Sequence, residues 1–346
     1  MRIVIAGAGA IGGYIGARLA KAGADVVLFA RGPHLRAMQE RGLSVISPDG
    51  DFHVQPLVTG DLATAGKADV VFLGVKAHAL TALAPSLPPL FGPDTMVVST
   101  QNGVPWWYFQ GYGGELEGLR LERVDPGGVI ASAIEPRRVV GSLAYFATDI
   151  VEPGVIRHTE GNRISFGEPG GTRSDRTRRL AEALIAAGFR CPVTTRFRHE
   201  IWVKLLGNVA FNPVSALTGG TLEELVRHPD TSRLVRELMV ETEAVARKLG
   251  IELPISIDQR MAGAERSART RPRCSRTSKP AGRWNSRRWL EQSSNWAIGS
   301  ASRCRPRARC MRAPECWTRA AAGASHHGPE LISTTGGSSS PRHSSR

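Results

Sequence analysis

The stretch "RIVIAGAGAIGGYIGARLAKAGADVVLFAR", residues 2 to 31, decides the fold. It opens with a short β-branched run of strand character. Gly7, Gly9 and Gly12 follow at G-x-G-x-x-G spacing, a helix is expected from about Ala10 to Ala22, and "DVVLFAR" supplies a second strand. In such a strand-turn-helix-strand unit each glycine has a physical task. Gly7 permits the tight turn, Gly9 lets the backbone approach a pyrophosphate, and Gly12 lets the helix pack close to the strand. The helix then offers its free N–H groups and the positive end of its dipole to the phosphates. Gly7, Gly9, Ala10, Ile11 and Gly12 are therefore the expected cofactor-binding turn.

The residue that ends the second strand selects between dinucleotides. An acidic residue there would accept from a ribose 2′-hydroxyl, whereas Arg31 suits a 2′-phosphate, which points to NADP(H). A solvated arginine at a loop edge is the plainer alternative. Two further buried strands are expected in "ADVVFLGVKAHAL", ending at Lys76, and "DTMVVSTQNGV", ending at Gln101, Asn102 and Gly103. Ligands of open parallel sheets bind beyond the carboxyl ends of the strands, so Lys76 and Asn102 should face the nicotinamide end of the cofactor. Residues 138 to 169 read as short strands with turns at "EPG" and "EGN" that complete the sheet.

From about Ser174 the pattern becomes helical, with a Ser174/Asp175 start and a Gly188 stop. In "RHEIWVKLLGNVAFNPVSALTGGTLEEL", residues 198 to 225, Lys204, Asn208 and Asn212 recur every fourth position and share one face of a helix. Their neighbours are strongly apolar. Polar groups in such a setting need partners, and a polar substrate would supply them; a simply wet stripe is the alternative.

These motifs together resemble the ketopantoate reductase (2-dehydropantoate 2-reductase) family. The resemblance rests on "GAGAIGGYIGARLAKAG", the arginine closing the second strand, "GVKAHAL", "QNGV" and "WVKLLGNVAFNPVSALTG", and runs from residue 1 to about 265. It implies an α/β chain with a Rossmann-type dinucleotide-binding domain (1–170) followed by an all-helical substrate and dimerisation domain (171–265 in this chain), with the active site between them. It further implies NADPH-dependent reduction of a small 2-oxo acid by a cytoplasmic homodimer. Lys204 would be the general acid, Asn102, Asn208 and Asn212 would orient the substrate, and Lys76 would sit near cofactor and carboxylate. An NADP-dependent dehydrogenase of another 2-oxo or 3-hydroxy acid is the alternative. The segment from 105 to 128 is longer and more aromatic than plain members of the family carry, as suits either a change of substrate choice or a cover for an exposed edge.

Bulk composition misleads in this chain. Its formal charge of +14 would suit a nucleic-acid partner, but residues 266 to 346 carry all of it, and residues 1 to 265 hold 28 basic and 28 acidic side chains. The same tail holds Cys274, Cys304, Cys310 and Cys316, leaving only Cys191 before it, as suits a reducing cytosol. No C-x-x-C pair occurs, so no metal is expected. The glycines that break the opening apolar run argue against a signal segment, and no stretch is long and apolar enough to span a membrane.

The tail itself has no hydrophobic period, and the family pattern expected after "MAGAE" is missing from it. Permitted codons for residues 266 to 277, read with one base added in front, spell KVGAHKTSMLQD, and the following codons can continue as LEAGRPMELEAVVGAVIELGDRLGV. That shifted reading restores helical periodicity and the missing motifs. It puts a serine where Arg273 stands and a glutamate where Asn285 stands. The tail is therefore read as translated out of frame, with the helical domain incomplete and no nucleic-acid partner expected; a basic arm that binds nucleic acid through charge alone is the alternative.

Overall fold

The computed structural model describes residues 1 to 266. The out-of-frame reading concerns residues that lie, Arg266 apart, outside them.

The opening apolar run forms β1 (Arg2–Ala6), which α1 (Ala10–Lys21) and β2 (Asp25–Phe29) follow. Next come α2 (Gly32–Arg41), β3 (Leu43–Ile46), β4 (Phe52–Val54), β5 (Leu57–Thr59), β6 (Ala68–Leu73), α3 (Ala77–Leu83) and β7 (Phe91–Ser99). A short α4 (Val129–Ala133) leads to β8 (Val139–Glu152), β9 (Val155–Gly167) and α5 (Asp175–Ala186). Four more helices, α6 (Phe197–Thr218), α7 (Leu222–Arg227), α8 (Pro229–Lys248) and α9 (Ile257–Arg266), end the described part.

The strands form one nine-stranded sheet in the order β4-β3-β9-β8-β7-β6-β1-β2-β5. From β5 through β8 every neighbouring pair is parallel, and β9 returns antiparallel to β8. The chain leaves β1 toward β2 and β5, then crosses back to place β6 on the other side of β1. That reversal opens a crevice beyond the carboxyl ends of β1 and β6, where open α/β sheets bind ligands.

Side chains alternate across the parallel strands, and both faces are covered, which is why these strands read as nearly continuous apolar runs. Ile3, Ile5, Val70 and Phe72 join one core with Tyr14, Ile15 and Leu19 of α1 and Leu180 and Leu184 of α5. Val4, Val71 and Leu73 face the opposite core, where Trp106, Trp107, Tyr108 and Phe109 meet Ile201, Trp202 and Leu205 of α6. Helix α5 starts as expected, with the Ser174 hydroxyl accepting from Thr177 N–H.

Two expectations need correction. Residues 138 to 169 are not several short strands but the long pair β8 and β9. "EPG" is the turn between them, whereas "EGN" lies inside β9, where Gly161 takes φ +77° and the register slips between Tyr145 and Ala147. A bulge there bends the strand without ending it. The aromatic segment after Gly103 is likewise no edge cover, because its four consecutive aromatic side chains are buried between the sheet and α6.

Candidate active site

Each part of the crevice is built from the strand end that precedes it. After β1, Gly7 adopts φ +114°, a conformation that other residues rarely enter. The turn is pinned from both sides, since Ala8 N–H donates to Phe29 O at 2.7 Å and Gly74 N–H donates to Ala6 O at 3.0 Å. Gly12 faces the inside of the turn, and a Cβ there would overlap the Gly7 carbonyl oxygen and stand 2.9 Å from Ile5 Cγ2. Gly9 differs from both. A Cβ built on it would meet nothing within 4 Å, so the space over the amino end of α1 is open. That helix has no side-chain cap and no acid in its first turn, so its N–H groups are left for an anion. The turn fits a dinucleotide pyrophosphate.

Gly74, at the end of β6, is a fourth member of this cluster that sequence spacing did not single out. A Cβ on it would overlap Gly7 O and lie 3.0 Å from Gly12 Cα. Its neighbour in sequence "GVK" gave no sign of this, because the contact is between strands distant in the chain.

Arg31 follows β2 as the exposed residue preceding α2, with its guanidinium carbon 5.4 Å from the centre of the Phe29 ring. Lys76 does not end its strand, which stops at Leu73, but immediately precedes α3 with its side chain exposed. Asn102 is half-buried in the loop after β7. Gln101 fixes that loop, its Nε2 donating to Leu73 O at 2.7 Å and Val75 O at 3.0 Å, while its Oε1 is buried without a partner. It thereby ties the Lys76 and Asn102 loops together.

Helix α6 carries the third part. Phe197 at its start wedges against Gly141 and Gly167, where any Cβ would overlap or crowd its ring. Arg198 donates to Tyr108 O at 3.0 Å and Gln110 O at 2.8 Å, and Trp202 Nε1 donates to the Tyr108 hydroxyl at 2.8 Å. The aromatic segment is thus the strap that seats α6 against the sheet. Two residues beyond Trp202, Lys204 Nζ donates to Ala144 O of β8 at 2.7 Å and lies 5.0 Å from the Tyr145 ring centre. Burial, with Glu200 adding to it and Arg163 opposing, pushes the Tyr145 hydroxyl up to about 12, so it is neutral at physiological pH. Arg163 and Glu200 close the cluster with an ion pair of 3.0 Å.

Lys204, Asn208 and Asn212 are all half-buried on the same helix, and the Nδ2 of Asn208 is buried with no partner. Unmet donors of this kind are uncommon in folded chains. Among the described residues no hydrogen bond joins Arg31, Lys76 or Asn102 to this row. The structure therefore brings Lys76 and Asn102 together through Gln101 and groups Lys204 with Asn208 and Asn212 on one helix.

A glycine turn open to an anion at a sheet reversal, with a lysine-amide row on a separate helix, fits a dinucleotide-dependent oxidoreductase. The family described as ketopantoate reductase PanE/ApbA matches residues 3–110, and its C-terminal counterpart matches residues 196–278. The 2-dehydropantoate 2-reductase of Mesorhizobium japonicum is 50% identical over 266 residues, which cover 76% of this chain and 81% of that protein. A candidate ketopantoate reductase from Ralstonia solanacearum superposes with TM-score 0.83 at 35% identity, over 93% of this chain and 98% of that one. A D-mandelate dehydrogenase solved with NADH shares the fold at TM-score 0.73 and 18% identity, over 94% of this chain and 99% of its own. The chain belongs to the ketopantoate reductase family. It is an oxidoreductase of the kind that acts on CH–OH groups with a nicotinamide dinucleotide.

Proposed function

We propose that the substrate is 2-dehydropantoate, reduced to pantoate with NADPH as the cofactor in preference to NADH. The row on α6 carries this reading, since it presents one ammonium and two amides, one of them with a buried unpartnered donor, toward a small polar ligand. When bound, the reduced dinucleotide supplies a hydride for the carbonyl carbon of the 2-oxo acid. Lys204 gives a proton to the carbonyl oxygen, and its charge stabilises the alkoxide character that develops there. Its bond to Ala144 O holds the ammonium at a fixed point of the cleft. Asn208 and Asn212 donate to the oxo acid and its hydroxyl, Asn102 orients the reacting carbonyl, and Lys76 lies near cofactor and substrate carboxylate. Gly7, Gly9, Ala10, Ile11 and Gly12 hold the pyrophosphate.

In this reading residues 1 to 170 form the cofactor domain and the helices from 171 the substrate and dimerisation domain, working in the cytoplasm as a homodimer without nucleic acid or membrane. Among the described residues no helix is long and apolar enough to cross a membrane. We also propose that a base is missing before codon 266. The test is NADPH oxidation across a panel of 2-oxo acids, run on this chain and on one with the base restored. The restored chain should reduce 2-dehydropantoate fastest and this chain only weakly. Preference for an aryl or unbranched 2-oxo acid would transfer the assignment to the alternative dehydrogenase reading, and equal rates in the two chains would refute the missing base.

Arg31 is the basis for NADPH over NADH. A guanidinium at the end of β2 meets a 2′-phosphate with paired charge-assisted hydrogen bonds. Arg31→Ala should raise the KM for NADPH by about tenfold or more, the loss of roughly 1.5–3 kcal/mol from a charged hydrogen bond, and leave the KM for NADH nearly unchanged. Equal increases for both dinucleotides would remove the 2′-phosphate from its role.

A further inference from the structure

Glu200 stands in the first turn of α6, where the positive end of the helix dipole favours a carboxylate. The same place puts it four residues before Lys204, and a glutamate ahead of a lysine at that spacing is the better orientation for pairing along a helix. In the structure its Oε2 accepts from Arg163 Nη2 of β9 at 3.0 Å. Both side chains stay partly exposed, at 40% for Arg163 and 23% for Glu200, so the pair contributes little to stability. What it fixes is the place of a charge.

Arg163 is held at three points. Its Nε donates to the hydroxyl of the fully buried Ser165 at 3.1 Å, its Nη2 to Glu200, and its guanidinium carbon lies 4.7 Å from the centre of the Tyr145 ring. Tyr145 and Arg163 are register partners across β8 and β9, so the sheet itself sets that contact. Lys204 Nζ lies 5.0 Å from the centre of the same ring and donates at 2.7 Å to the carbonyl of Ala144, the residue before it. One ring therefore faces both cations. Its hydroxyl, raised first by burial, is raised further by Glu200 and lowered by Arg163, which puts the carboxylate beside the ring as well.

We propose that Arg163 is a positioning residue for the reaction, holding the Glu200 carboxylate against β9 so that it does not draw the Lys204 ammonium back along α6. Without Arg163, Glu200 pairs with Lys204. The ammonium is then pulled toward the start of the helix, away from Asn208 and Asn212, and a carboxylate beside it makes its proton harder to give up. Proton transfer to the carbonyl oxygen slows. A guanidinium suits this task because its planar, fixed donors can grip Ser165 and Glu200 at once, which the point charge of a lysine cannot. The role in proton transfer rests on the reductase reading, whereas the placement of Glu200 does not.

The amine reactivity of Lys204 reads that placement without any substrate. The full chain is labelled with trace acetic anhydride, and acetylation of Lys204 is measured by peptide mass spectrometry against the exposed Lys21 and Lys248. Arg163→Gln should lower it about threefold or more, the upper range for a partly exposed ion pair, and adding Glu200→Gln should return it to the parent level. In the frame-restored chain, kcat for 2-dehydropantoate should fall and recover in the same pattern with the KM for NADPH unchanged, a split that general loss of packing does not give. Labelling equal to the parent in Arg163→Gln, no recovery in the double variant, or an unchanged kcat in Arg163→Gln would each overturn the role. Should Arg163→Gln fail to fold, Glu200→Gln alone decides. Labelling within about twofold of the parent agrees with a carboxylate already held by Arg163, and a severalfold rise would refute it. Labelling that follows Arg163 and Glu200 in a frame-restored chain that reduces no 2-oxo acid would leave the control of Lys204 standing and sink the reductase reading. Turnover of 2-dehydropantoate with labelling unaltered by Arg163→Gln would do the reverse.

Discussion

Lys204→Ala is expected to lower kcat for 2-oxo acid reduction by about 10²- to 10⁴-fold, the usual contribution of a positioned general acid. The KM for NADPH should change little, because Lys204 sits on α6 and the glycine turn proposed to hold the phosphates lies between β1 and α1. The fold should also survive, since Lys204 is only half-buried. Lys204→Arg separates two roles that the alanine variant merges. A guanidinium keeps the positive charge but holds its proton too tightly to give it up near neutrality. If the ammonium acts as proton donor, Lys204→Arg should remain far below the parent enzyme. If charge alone mattered, it would recover most of the rate. Steady-state rates for the three chains, in the frame-restored background, give the answer, and an undiminished kcat in Lys204→Ala would end the assignment of Lys204 as the acid.

The parts of this site that were legible in the sequence are those whose geometry is local. A glycine turn between a strand and a helix spans six residues, and a row at every fourth position of one helix needs no knowledge of what the helix packs against. Gly74 and Gln101 escaped because their work is done across the sheet. Gly74 matters through its contact with Gly7 and Gly12, and Gln101 through carbonyls of the neighbouring strand's end. The segment from 105 to 128 stayed open between two readings for a related reason. Aromatic and glycine-rich sequence suits a surface loop or a core strap, and the choice depends on α6, whose Trp202 and Arg198 reach back to Tyr108. "EGN" carries the residues of a turn, but the ten register pairs of β8 with β9 outweigh that local preference and reduce it to a bulge.

Gly12→Ala and Gly9→Ala should both damage cofactor binding, and for opposite reasons. At Gly12 the new methyl group would collide with the Gly7 carbonyl oxygen and sit 3.2 Å from Gly74 Cα, atoms of backbone that have no rotamer to change. Helix α1 must then move off the sheet, which costs about 1–3 kcal/mol or more of stability for overpacking and drags the phosphate-facing N–H groups with it. Unfolding temperature and dinucleotide affinity should fall together. At Gly9 the backbone has φ −72° and ψ −165°, open to any L-residue, and a methyl group meets no protein atom within 4 Å. The loss in stability should stay within about 1 kcal/mol, the difference between glycine and alanine as a helix cap. The methyl group would nevertheless stand in the space that the pyrophosphate is expected to fill, and a tenfold or greater rise in dinucleotide Kd, about 1.4 kcal/mol or more, should follow without unfolding. Melting curves and dinucleotide titrations on the two variants decide the matter. Binding that survives Gly9→Ala intact would mean that the open space over α1 is not where the phosphates lie, and the cofactor would have to be placed elsewhere in the crevice.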